Sequence, residues 1–390
     1  MNSGALKLDL MLRGVRLDAS FAEKHRVLSD FCLGPKTFGN LELVLPEGVG
    51  VSVPYQEDFI EKSPYKLRGV NKKIFLTGEM GTLPVKWVPQ PDYYDQWVNA
   101  KVKLGEVACV YGSYVSLAIG GHRYLKPTLV DAHGETHRPD LVLSVDEVVA
   151  VIERIRKERV IDVISLSCWS AGEDGGVSQV ESYVRAIKKY FNVLVFVEIH
   201  LPRHTRMIDE TYAMGADSIC YHIGNLCSHG VSLCPVVSEK DFEMRMLKHA
   251  VEVYPEGSIL AHITLGQNSI AESREDITKL CKLKVLPILT LESLEIAHER
   301  GFTVAELAPL FGFLYDEAKR NGIKMNWFSR LSPFLTPIEG RFFAGDMPRL
   351  KLALLNFYQS RILGGSVSVG LSNLRRKLRV KVVDNDENKS

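Results

Sequence analysis

The sequence carries almost no charge imbalance. Lys plus Arg number 48 and Asp plus Glu 47, a formal net charge of +1 over 390 residues. So neutral a chain gives no electrostatic argument for nucleic acid or an anionic membrane as partner. It also lacks any uninterrupted apolar run of the ~18 residues that a membrane helix needs. Residues 1–18 lack the apolar core and small-residue cleavage site of a secretory signal, so a cytoplasmic location is expected. Cysteine is scarce and odd in number, seven in all. In a chain long enough to fold without staples, free thiols or metal ligands are expected rather than a disulfide framework. There is no internal repeat, low-complexity linker, P-loop or nucleophile elbow. Gly172, Gly175 and Gly176 follow a strand-like run, but their spacing does not make a dinucleotide fingerprint. The one locally basic stretch, Arg375, Arg376, Lys377, Arg379 and Lys381, reads as a solvated face.

What is present is an alternation of two signals. Short, nearly continuous Val/Ile/Leu runs at residues 107–111, 160–166, 193–199, 218–222, 258–264 and 285–289 read as strands buried on both faces. Between and after them lie amphipathic segments at 144–159, 178–191, 206–214, 241–253, 270–281 and 304–320. The first opens with a capping box, Ser144 and Glu147, and keeps Val148, Ile152 and Ile155 on one face. Gly215 is a natural stop for the third. Six strand–helix units imply parallel strands with helices outside them. The expected fold is α/β, a partial (βα)6 TIM-type barrel, with a doubly wound open sheet as the alternative. Residues 1–70 read as an irregular N-terminal extension and 71–340 as the barrel. Residues 341–390 read as a C-terminal helix (347–362) and a basic strand-like tail (374–383).

Parallel barrels place chemistry at the carboxyl ends of their strands. The first strand signal runs into Cys109-Val110-Tyr111-Gly112-Ser113-Tyr114-Val115-Ser116. The second ends in Ser167-Cys168-Trp169-Ser170-Ala171-Gly172-Glu173. The third presents Glu198 and His200, where a carboxylate is costly to bury without a partner. The fourth is followed by His222 and Asn225, and the fifth by Gly266 and Gln267. Two further groups could hold a metal or be ordinary side chains: Cys220, Cys227 and Cys234 with His222 and His229, and His133 with His137 around Glu135.

Taken in order over residues 105–340, these motifs resemble biotin-synthase-related proteins of the radical S-adenosylmethionine superfamily. The resemblance implies a [4Fe–4S] cluster on a Cys-x3-Cys-x2-Cys loop, here Cys109 with Ser113 and Ser116 at the other ligand positions. It implies S-adenosyl-L-methionine as cofactor. Tyr114 would pack near its adenine, and Ala171, Gly172 and Glu173 would receive its ammonium group. Glu198 and Asn225 would meet ribose or substrate, with Gly266 and Gln267 beside the adenine. The implied reaction is abstraction of hydrogen from a small-molecule substrate by a 5′-deoxyadenosyl radical. Thiolates hold such clusters and serine is a hard, high-pKa replacement. The motif is therefore degenerate or engineered. The alternative is a cluster-free barrel of the same fold that binds a ligand or partners an active relative.

Overall fold

The computed structural model describes residues 2–18, 40–55, 58–70, 73–79, 81–88, 91–111, 113–119, 142–168, 172–223, 240–265, 269–291, 301–325 and 335–344. The chain opens with helix α1 (Ser3–Arg13), capped by the Asn2 side chain, which accepts from Ala5 N at 2.8 Å, and ended by Gly14 at φ 65°. Gly14 needs that left-handed backbone, which favours glycine. After α1 comes a six-stranded sheet of β1 (Arg16–Leu17), β2 (Asn40–Val44), β3 (Gly50–Pro54), β4 (Lys66–Val70), β5 (Lys73–Gly78) and β6 (Gly81–Val88), in the order β1-β4-β5-β6-β2-β3. Its core is Leu41, Leu43, Val51, Val53, Tyr65, Leu67 and Leu76.

This corrects the reading of residues 1–70 as irregular and of residue 71 as a boundary. β4 and β5 pair across that point, Lys66 with Thr77 through Val70 with Lys73, so the first unit runs to Val88. The sequence misleads here because α1 reads Leu6-Lys7-Leu8-Asp9-Leu10-Met11-Leu12, an alternation without helical period. Leu6 and Leu10 enter the core of the first sheet, while Leu8 and Leu12 enter the core of the second. A helix wedged between two cores needs apolar residues on both sides, which blurs its period. Lys7 is fully buried and pairs with Glu339 at 3.1 Å. Nearby, burial pushes the Glu42 carboxyl up to about 7, against smaller opposing effects of the Ser52 hydroxyl and Lys7.

The second sheet contains β7 (Ala108–Tyr111), β8 (Tyr114–Ala118), β9 (Val163–Ser167), β10 (Leu194–His200), β11 (Ser218–His222), β12 (Ile259–Leu265) and β13 (Leu286–Leu291). Their order is sequential from β7 to β13. β8 to β13 are all parallel, and β7 alone is antiparallel, to β8. Each parallel strand leads to a helix: α2 (Val145–Glu158), α3 (Val177–Tyr190), α4 (Thr205–Met214), α5 (Lys240–Val253), α6 (Ile270–Lys282) and α7 (Val304–Arg320). The expected capping box at Ser144 is present, and Thr303 with Glu306 forms another on α7. Gly215 ends α4 in the left-handed conformation.

A strand order that never reverses, with right-handed crossovers, sends every helix to the same face. The doubly wound alternative requires a reversal and is excluded. Neighbouring helices pack side by side, α2 on α3, α3 on α4, α4 on α5 and α6 on α7, over the apolar face of Ile164, Leu166, Val195, Val197 and Ile219. The sheet is thus a half-barrel with one helix-covered face and one inner face. A 3-10 turn, Pro337–Phe342, docks on α7 and α1, so the expected boundary at 340 falls inside a packed element. A Cβ at Gly340 would lie 2.2 Å from the Phe311 carbonyl oxygen, which shows how close that approach is. The expected helix at 347–362, the strand at 374–383 and the basic run lie outside the described residues. Among the described residues no helix is long and apolar enough to cross a membrane.

Candidate functional site

Side chains alternate between the faces of a strand, and registered partners share a face. His200 is registered with His222, and His222 with His262, so three imidazoles form one row across β10, β11 and β12. Glu198 precedes His200 by two residues and shares its face. These four are half-buried and alternate along their strands with fully buried Val197, Ile199, Tyr221 and Ala261. The row crosses the carboxyl ends of β10 and β11, where parallel half-barrels expose side chains to their hollow.

The geometry within the group is tight. The His222 and His262 rings stack with centroids 4.3 Å apart and planes 11° from parallel. His200 tilts toward His222 at 5.7 Å. Glu198 accepts hydrogen bonds from Ser165 Oγ and Ser167 Oγ, both at 3.1 Å, one on each carboxylate oxygen. Single nitrogen or oxygen atoms of Glu198, His222 and His262 all lie within 4.8 Å of one another. Desolvation dominates their proton affinities although their surfaces touch the hollow. Burial raises the Glu198 carboxyl, partly offset by the two serines. Burial lowers His222 well below the usual imidazole value, helped by His262 and His200. Burial alone brings His262 down to about 4. Burial thus favours the neutral form of both imidazoles, the form that coordinates or accepts a proton.

Reading strand ends selects Glu198, His200 and His222 from the sequence, but not His262. His262 lies in the middle of β12, paired with His222 at the end of β11, and only the register reveals it.

The motif at Cys109 is placed differently from the expectation. β7 and β8 form a hairpin in which Cys109 faces Ser116 directly. Ser113 sits in the turn, and its carbonyl accepts from Asp162 N at 2.8 Å at the start of β9. Cys109, Ser113 and Ser116 therefore do not form a loop at the carboxyl end of the first parallel strand. The turn lies at the opposite, amino end. At about 3.3 Å of rise per residue, Ser113 and Ser116 are separated along the strand by roughly 10 Å. These residues do not fit a [4Fe–4S] cluster. The sequence carried the competing signal: Gly-Ser between two β-rich runs reads as a two-residue hairpin connection, and Tyr111 does pair with Tyr114. Tyr114 lies buried in β8, its hydroxyl pushed well up by burial and then by the Glu198 charge.

Gly172 and Glu173 do follow the second parallel strand. Their loop is tied to the end of β10, with His200 N donating to the Gly175 carbonyl at 3.1 Å. A Cβ on Gly175 would come within 2.3 Å of the His200 carbonyl oxygen, so glycine permits the contact. Glu173 itself is exposed and lies 3.8 Å from Arg203. Cys220 is fully buried in β11, its thiol pushed well up by burial. The Cys168 thiol, also buried, donates to Gln179 Oε1 at 2.8 Å. Ala171, Asn225, Gly266, Gln267, Cys227, Cys234, His133 and His137 lie outside the described residues.

No protein family and no curated protein matches the chain. Two of the solved structures it resembles are dihydropteroate synthases. One is from Yersinia pestis with a sulfonamide drug complex, at TM-score 0.28 and 11% identity, covering 57% of this chain and 88% of that one. The other is from Xanthomonas albilineans with indole-2-carboxylic acid and 6-chloroguanine, at TM-score 0.26 and 13% identity, covering 56% and 85%. Likeness this distant says nothing of activity, and the fold rests on the topology above.

Proposed function

We propose that this chain is an enzyme acting on a small polar molecule on the inner face of its half-barrel, where the carboxyl ends of β10 and β11 meet the middle of β12. The observation that carries the reading is the convergence of Glu198, His200, His222 and His262 from three adjacent strands onto one face. Buried polar groups are expensive, and four titratable side chains on one patch of sheet contribute no packing that Val or Leu would not improve. Clustering of such groups with shifted proton affinities is a mark of functional sites. The rigid sheet fixes their spacing, while the loops after each strand are free to shape the mouth.

The test is imidazole NMR of the chain during addition of small carboxylic acids, amino acids, nucleosides and sugar phosphates. A ligand that shifts the His200, His222 and His262 resonances, and whose effect is lost in His200→Ala, supports the reading. Ligands that perturb only histidines elsewhere contradict it.

A second reading keeps the family resemblance without its cluster: a barrel that binds S-adenosylmethionine. The loop of Gly172 and Glu173, tied to the end of β10 beside this group, favours it. Calorimetric titration with S-adenosylmethionine decides it, binding weakened by Glu173→Gln being the supporting outcome and absence of heat the contrary one.

A further inference from the structure

We propose that Glu198, His222 and His262 form a binding site for a divalent first-row transition metal ion, with Zn(II), Fe(II) and Co(II) as the class of occupant. The inference deepens the reading above, since it gives the same group of side chains a cofactor.

The donor set comes first. Two imidazoles and one carboxylate suit borderline metals, whereas Ca(II) and Mg(II) prefer all-oxygen surroundings. Three protein ligands leave coordination positions open, which is the pattern of catalytic rather than structural sites. Each ligand comes from a different strand, β10, β11 and β12, and those strands are immediate neighbours in the sheet. One donor atom from each lies within 4.8 Å of the other two. Bonds of about 2.0–2.2 Å place the donor atoms around a tetrahedral ion about 3.3–3.6 Å apart. Side-chain rotations that bring the donors closer by up to about 1.5 Å would therefore close the site, with no change in the sheet.

The surroundings supply the second argument. Glu198 holds a serine hydroxyl on each oxygen, and no cationic side chain faces it among the described residues. Oriented hydroxyls behind a liganding carboxylate are how proteins fix such a group. His262 Nδ1 is buried and has no hydrogen-bond partner among the described residues. A histidine kept merely for packing would be expected to satisfy that nitrogen. His222 and His262 stack face to face rather than hydrogen-bonding to each other. A cation is the species that would satisfy the carboxylate and the imidazoles together.

The experiment uses the full chain, stripped of metal by chelator, titrated with Co(II) and followed by visible d–d absorption. Zn(II) competition gives the stoichiometry. Glu198→Gln and His262→Asn are measured alongside, with circular dichroism melts to establish that both fold. The expected result is one Co(II) per chain, displaced by Zn(II), with affinity falling about a hundredfold or more in each variant, since even an outer-shell partner is worth 10–100-fold. No binding by the wild-type chain would overturn the proposal. So would binding retained in either folded variant, or spectra dominated by thiolate-to-metal charge transfer. A chain that binds no metal but still shows ligand-induced shifts at His200 sinks this inference and leaves the proposed function standing.

Discussion

Glu198 occupies a position where hydrophobic side chains would serve the sheet better, and the two serines beside it limit the cost. Ser165 and Ser167 each donate to one carboxylate oxygen. Replacing both by Ala removes that support and lets the carboxyl rise further. Metal affinity should then fall about 10-fold or more, read by the same Co(II) titration. An unchanged affinity would show that the serines do not position Glu198. Two other buried groups set opposite responses to pH. His262, at about 4 in the folded chain, takes up a proton on unfolding between roughly pH 4 and 6.5, so stability falls as pH drops through that window. Glu42, at about 7, holds its proton when folded and releases it when unfolded between roughly pH 4.5 and 7. Its contribution is present at low pH and is lost as pH rises. Glu42→Gln should therefore stabilise the chain at pH 8, by on the order of 1–3 kcal/mol, and do little at pH 5. Thermal melts at the two pH values check this. Equal shifts at both would contradict the assignment.

At the scale of elements, the hairpin of β7 and β8 makes a claim that chemistry can test. Directly opposed residues of an antiparallel pair have Cα atoms about 4.5–5.5 Å apart, inside the range a disulfide spans. Ser116→Cys should therefore form a disulfide with Cys109 under mild oxidation, read as loss of two titratable thiols in the denatured chain. Iron and sulfide bound stoichiometrically by a Ser113→Cys, Ser116→Cys chain would favour the cluster loop instead. Helix α1 makes a second claim. Lys7 is buried against Glu339, whose carboxylate also caps the turn from Pro337 through Thr336 N at 2.6 Å. Lys7→Met leaves that carboxylate buried and unpaired, which should cost about 3–5 kcal/mol. Adding Glu339→Gln should recover a large part, measured as coupling in a double-mutant cycle.

What the sequence disclosed at this scale follows from period and burial. The last five parallel strands were legible because strands buried on both faces read as short apolar runs. α2 to α7 were legible because of their amphipathic period, and α2, α6 and α7 each open on a capping box. α1 was not, because it has two buried sides. β7 and β8 read as one strand and a loop when the Cys109, Ser113 and Ser116 spacing outweighs the Gly-Ser signal between them.

Over the whole molecule, one topological fact organises the rest: the six parallel strands run in sequence order, so the helices occupy one face and the other carries the row of polar side chains. Strand-end reasoning found Glu198, His200 and His222 on that face. It could not find His262, because register is set by pairing between strands that are distant in sequence. The two units share α1, with Leu6 and Leu10 in one core and Leu8 and Leu12 in the other. They should therefore unfold together, in a single thermal transition by both circular dichroism and Trp fluorescence. Two resolved transitions would mean that α1 does not couple them.

The central claim is that Glu198, His222 and His262 converge to bind a metal ion and make the inner end of the sheet the reacting surface. Anomalous scattering from crystals of the full chain grown with Zn(II), collected on both sides of the zinc edge, tests it most directly. The account predicts one strong peak about 2.0–2.2 Å from a donor atom of each of the three residues. A peak only at other residues, or a well-ordered site with Glu198 and His262 turned apart and no peak between them, would contradict it.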